Sequence, residues 1–423
     1  MRKRILSGIG SVAALSLALA ACSSSTDGTE VSESATSDAM EPVTITYSNF
    51  ISNGGNEENL QTIVDAFEAE YPYITVDVTT LPYADYFTVL QTDLAAGTTA
   101  DVFDIEYATY PAYQPSGVFA PLDGVDTSAY RGDVAAAYAT DGVQYALPTS
   151  FSTVVLFYNK DLFDAAGLDY PTSDWTWDDE RAAAEALTDA DAGVWGDYQP
   201  ISYYEYYKAL VQAGGQFLTD DGSAVAFNSP EGLAAAEWLV EKSGTVMPTA
   251  EQGAGTADFD TSLWADGKLG MWHTGIWMFG AADGSDFAWD IAVEPGDVQN
   301  ASAVFSNAVA VSATSEHQDA AALFAEFLSA SDTMVDVRLE TGWELPAISD
   351  TATLSTYLDQ GDPDNRQAVF DSLDGIALPP IIGDNQAQMQ DIIGNELTEA
   401  AAGRITAEEA LANAESKIND LLG

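Results

Sequence analysis

Apolar and polar side chains alternate one by one through Val43-Thr44-Ile45-Thr46-Tyr47, a β-branched run that predicts a half-buried strand. A polar, glycine-containing stretch occupies 49–56, after which the spacing becomes helical over 57–71, with Leu60, Ile63, Val64 and Phe67 on one face. A second strand is expected over 73–79, a helix over 83–96 and a third strand over 101–105. Strands alternating with helices of this length predict βαβ units and a parallel sheet. The pattern continues through a strand at 153–158, helices around 178–187 and 230–242, and a closing helix over 407–422, where Thr406 and Glu409 have capping-box spacing. One α/β domain of this size would be oversized, so two lobes are expected.

The N-terminus breaks this pattern. Arg2-Lys3-Arg4, an apolar run from Val12 and the small residues before Cys22 describe an export signal too short to span a bilayer. The segment resembles a bacterial lipoprotein signal, in which the cysteine thiol becomes a thioether to diacylglycerol and its residue the new N-terminus; an ordinary secretory signal is the alternative. Two acyl chains anchor stably where one would be marginal. Residues 23–41, rich in Ser, Thr, Asp and Glu, read as a flexible tether. Cys22 is the only cysteine, so no disulfide is available.

Removing residues 1–22 takes three of the 13 Lys and Arg and none of the 67 Asp and Glu, and 10 minus 67 leaves a formal charge of −57. Such a field repels phosphate backbones, so no nucleic-acid partner is expected.

Several segments, read in order, resemble the sugar-binding lipoproteins of ABC transporters, the extracellular solute-binding family 1 that includes maltose-binding protein. They are Leu94-Ala95-Ala96-Gly97 running to Asp101-Val102-Phe103, Tyr145-Ala146-Leu147-Pro148, Leu156 to Phe163, Ala166-Gly167-Leu168 and Trp175-Thr176-Trp177-Asp178. Gly214-Gly215, Phe227 to Gly232, Gly267 to Met271 with Gly275-Ile276-Trp277, and Leu345-Pro346-Ala347 complete the series. The resemblance implies an α/β, periplasmic-binding-protein-like fold of two lobes, each a mainly parallel sheet flanked by helices. It places 43–150 with 292–313 in the N-terminal lobe and 151–291 with 314–423 in the C-terminal lobe. Ligand is held in the cleft, and closure is by hinge. It implies further a mono- or oligosaccharide ligand, ABC permease subunits with their ATPase as partners, a monomer fixed by its lipid anchor to the outer membrane face, and no cofactor.

A sugar needs aromatic planes for its C–H faces and carboxylates, amides or Trp and His donors for its hydroxyls. Trp277, matching the family's Gly-x-Trp, and Trp343 are the stacking candidates, with core packing as the alternative. Glu106 and Asn49 follow strands at the edge where open α/β sheets present ligands. Tyr107, Phe151, Ser152, Tyr203, Tyr204, His273 and Glu344 complete the set. Ser152 stands where maltose-binding protein has a carboxylate, which argues against maltose. Cations are absent around these candidates, and Lys160 and Lys268 sit in motifs that read as structural, which favours a neutral ligand. A polyamine or cationic-peptide binder and a secreted glycosidase are the alternatives, although no HExxH, Walker A or GxSxG signal is present. Asp189, Asp191, Gly193 and Asp197 faintly suggest a calcium loop but read as a solvated turn, and no metal site is assigned.

Overall fold

Strand β1 (Val43–Asn49) buries Ile45, Tyr47 and Asn49 and leaves Thr46 exposed and Ser48 half-buried between them, as alternation requires. The computed structural model describes residues 41–51, 56–256 and 258–422. Cys22 and residues 23–40 lie outside the described residues. Helix α1 (Glu57–Glu70) turns Leu60, Ile63, Val64 and Phe67 inward. Strand β2 (Ile74–Thr80) pairs parallel with β1, Val43 opposite Ile74 and Asn49 opposite Thr80. Helix α2 (Tyr83–Ala96) ends at Gly97, whose φ of 69° suits glycine. Strand β3 (Val102–Glu106) is buried throughout and lies parallel on the other side of β1.

The next strand, β4 (Ala146–Asn159), has 14 buried residues and serves two sets of partners. Its later half pairs antiparallel with β5 (Met271–Gly275) and β6 (Trp289–Ala292). Its earlier half pairs antiparallel with β7 (Ser302–Val311), with a register shift between Pro148 and Ser150. β7 in turn pairs antiparallel with β3. Parallel pairing is therefore concentrated at β1, β2 and β3, and the long crossing strands make the sheet mixed. The short β8 (Leu345–Pro346) closes the other edge of β4.

Helix α3 (Trp177–Leu187) starts with a Thr176–Asp179 capping box, and helix α4 (Tyr203–Gln212) with Ser202 accepting from the Glu205 N–H. Behind α4 stand α5 (Pro230–Val240), α8 (Gln386–Ala401) and α9 (Ala407–Leu422), after the pair α6 (Gln318–Ala330) and α7 (Asp332–Thr341). At α9 the reciprocal Thr406–Glu409 bonds form as their spacing predicted, at 2.9 and 3.1 Å.

The lobe division read from the sequence needs one correction. The resemblance puts residues 314–423 with the second lobe, yet Phe324 of α6 packs edge-on against Tyr47 of β1 (5.3 Å) and Phe67 of α1 (5.0 Å). The apolar face Ala321, Phe324, Ala325 and Leu328 of α6 is buried, and its Phe324 contacts to β1 and α1 place α6 with the first strands.

Candidate binding cavity

The C-terminal ends of β1 and β3 deliver Phe50 and Glu106 to one end of the sheet, where parallel strands present ligands. A cavity of about 310 Å³ opens there. Aromatic side chains of Phe50, Tyr83, Tyr204, Trp277, Phe305 and Trp343 line it, together with Glu106, Glu205, Asp260, His273, Asn307 and Glu344.

Trp277 leaves the turn after β5 and meets Phe305 edge to face at 5.4 Å and 83°. Its position depends on Gly275. A Cβ there would come within 1.9 Å of the indole Cζ3, so only glycine lets the ring fold back over the chain. Trp343 is 5% exposed and carries the Arg338 guanidinium over its ring at 4.2 Å.

Each acid is held differently. Burial pushes the Glu106 carboxyl up to about 7, against the hydrogen bond from Tyr83 that favours the charge; Glu344 and Asp104 nearby add to the rise. Asp104, behind it, is likewise raised to about 7 by burial although the Tyr47 hydroxyl donates to it at 2.7 Å. Burial also raises Asp260, which accepts from the Trp272 indole at 3.1 Å.

Glu344 occupies the left-handed region, φ 53°, an uncommon conformation for a non-glycine residue and one that recurs at functional sites. Its carboxylate accepts from Ser150 Oγ at 2.7 Å and Asn307 Nδ2 at 3.3 Å, and pairs with Arg338 at 3.2 Å. Ser150 and Asn307 lie on the crossing strands β4 and β7, so this one acid ties the cavity wall to both. Glu205 accepts from Gln199 at 2.7 Å and pairs with Lys208 at 2.6 Å.

Of the residues singled out from the sequence, Glu106, Tyr204, His273, Trp277, Trp343 and Glu344 come together around the cavity. The others lie off its lining. Asn49 is fully buried, its Oδ1 accepting from the Ile51 N–H. Phe151 sits in the core beneath Arg131, and Ser152 is enclosed where β4 faces β7. Tyr203 packs among Tyr207 and Phe217 and donates to the Pro380 carbonyl. Tyr107 lines a neighbouring hollow with Tyr204 and Phe305.

Sequence reasoning missed Phe50, Tyr83, Phe305, Asp260 and Asn307. Phe50 was within reach, one residue beyond Asn49, but Tyr83 and Phe305 carry the same pattern as core aromatics. The supposed solvated turn is also only partly one. Asp189 does cap a turn, yet Asp197 is fully buried against Lys242 at 2.6 Å.

A family model described as bacterial extracellular solute-binding protein matches residues 53–335. Putative binding protein BAB2_0491 of Brucella abortus is 26% identical over 84% of this chain and 88% of its own length. The galactooligosaccharide-binding protein of Bacillus subtilis is 25% identical over 80% of each. Among solved structures, an ABC substrate-binding protein of Listeria monocytogenes, in complex with cycloalternan, superposes with a TM-score of 0.86 at 39% identity, covering 90% of this chain and all of that one. A Thermotoga lettingae solute-binding protein bound to α-D-tagatose gives 0.80 at 25% identity, covering 91% and 100%. With this likeness along nearly all the described chain, the two-lobed α/β architecture follows, and the protein belongs to the bacterial extracellular solute-binding protein family.

Proposed function

We propose that this protein captures a neutral carbohydrate, an oligosaccharide by preference, and hands it to the permease and ATPase of an ABC importer. The observation that carries this reading is the cavity itself, where Tyr204, Trp277, Phe305 and Trp343 supply ring surface and Glu106, Glu344 and Asn307 supply hydrogen-bonding atoms. Arg338 and Lys208 stand behind Glu344 and Glu205 and are spent on them, which suits a ligand without a carboxylate or phosphate. The ligands of two similar proteins, galactooligosaccharide and cycloalternan, point the same way. Capture is by hinge closure between a first lobe of 43–150, 292–313 and the packed helices 318–341, and a second built on 151–291. Cys22 is the lipid attachment point that holds the protein, as a monomer, to the outer membrane face.

The reading excludes turnover. Incubation with cycloalternan, maltotriose and galactooligosaccharides should leave each intact, and thermal stability should rise with at least one of them. Hydrolysis products lost on Glu106→Gln would make the chain a glycosidase.

A further inference from the structure

Behind the Glu205 wall of the cavity, four carboxylates and three basic groups, of which only Glu205 and Lys208 share a helix, close into a buried ring. His273 Nδ1 lies 2.6 Å from Glu294 Oε1, and Nε2 lies 3.0 Å from Glu180 Oε1 and 3.4 Å from Asp197 Oδ1. Lys242 Nζ is 2.6 Å from both Glu180 and Asp197 and donates to Gln199 Oε1 at 2.6 Å. Gln199 passes the contact to Glu205, and Lys208 bridges Glu205 and Glu294. Glu180, Asp197, Lys208 and Glu294 have no exposure at all, and His273 is 3% exposed.

A neutral imidazole has one N–H and one lone pair. Either tautomer of His273 would therefore press a lone pair against a carboxylate oxygen, at 2.6 Å on one side or 3.0 Å on the other. With a neutral ring the cluster would also hold four carboxylates against two lysines, a buried excess of two negative charges. An imidazolium donates on both sides and halves that excess. His273 and Glu205 both line the cavity, so the state of the ring reaches the ligand wall.

We propose that His273 is a positioning residue, a standing imidazolium that acts through Glu294 and Lys208 to fix the Glu205 carboxylate at the cavity wall. Burial opposes the charge on His273, and so does Lys242, but Glu180 and Asp197 outweigh them and hold its pKa well above the ordinary value. A raised histidine pKa stabilises the fold fully below the unfolded value of about 6.5, and that contribution is lost as pH rises through the folded value. The weakening falls on the alkaline side.

The chain has only two histidines, so His317→Gln leaves His273 as the sole imidazole to observe. In ¹⁵N-histidine NMR of that full chain, both ring nitrogens should remain protonated from pH 5.5 to 8, whereas in urea the ring should titrate near 6.5. A neutral ring at pH 7 in the folded chain overturns the proposal. Glu294→Gln, of the same shape, should lower the proton affinity of His273 tenfold or more; an unmoved titration overturns the link through Glu294.

The effect on affinity rests on the carbohydrate reading. Cycloalternan binding should weaken above pH 8 in step with the loss of the imidazolium proton, and binding that stays level while the ring deprotonates overturns the positioning role. If no saccharide binds at any pH, the carbohydrate reading fails, while the imidazole spectrum still decides the proposal.

Discussion

Glu106 ends β3 with its carboxyl buried and its pKa raised from an ordinary 4.5 to about 7. A raised carboxyl pKa means the folded chain binds the proton more tightly than the unfolded one. Its stabilisation is complete below about 4.5 and is lost as pH climbs to about 7, a change of up to about 3 kcal/mol. Glu106→Gln should flatten this part of the stability profile in urea titrations at pH 4.5 and 7.5; an unchanged profile would mean that the acid is not buried as described. Trp277 offers a second residue-scale test. Trp277→Ala should reduce saccharide affinity roughly 10- to 100-fold without unfolding the chain. Gly275→Ala, which drives a methyl into the indole, should reproduce much of that loss with the tryptophan still present. Full affinity in both variants, measured by calorimetry, would remove Trp277 from the site. Trp277 was legible in the sequence because it follows a glycine in a Gly-x-Trp context. The buried ring was not, since its members are spread from Glu180 to Glu294 and no spacing among them marks a cluster, even though His273 stands out singly as a candidate donor.

At the scale of elements, α9 closes the chain on a Thr406–Glu409 capping box and buries Ala407, Ala410, Leu411, Ala414 and Ile418. Thr406→Ala should cost about 1 kcal/mol, read from the denaturant midpoint, because it removes the hydroxyl that accepts from the Glu409 N–H and leaves only the backbone N–H of residue 406 bonded to Glu409. No shift in the midpoint would show that the cap adds nothing in this context. Helices and strands with one wet face, α1, α2 and β1, were predicted to within a residue or two, since half-burial writes its period into the sequence. β4 was legible only in part. All 14 of its residues are buried, including Thr149, Ser150, Ser152 and Thr153, so neither alternation nor apolar content marks its first half. The placement of α6 against β1 was lost for a related reason: an amphipathic face states that it needs a partner and leaves the partner unnamed.

For the whole molecule, β4 and β7 cross between the two sets of strands, and Glu344 binds a residue from each while facing the cavity. A ligand that engaged Glu344 would touch the same group that bonds to both of these strands. The acidity of the chain adds a separate expectation. A neutral sugar should bind with little dependence on ionic strength, whereas a cationic ligand drawn by 67 acids would weaken as salt screens the field. In cells, Cys22→Ser should release the protein from the membrane fraction, and retention there would remove the lipid anchor from the account. The most direct test of carbohydrate capture is isothermal titration of the chain with cycloalternan, maltotriose and galactooligosaccharides at low and high salt. The account predicts saturable binding of at least one saccharide, unchanged by salt; silence toward every saccharide, with salt-sensitive binding of a polyamine in its place, would contradict it.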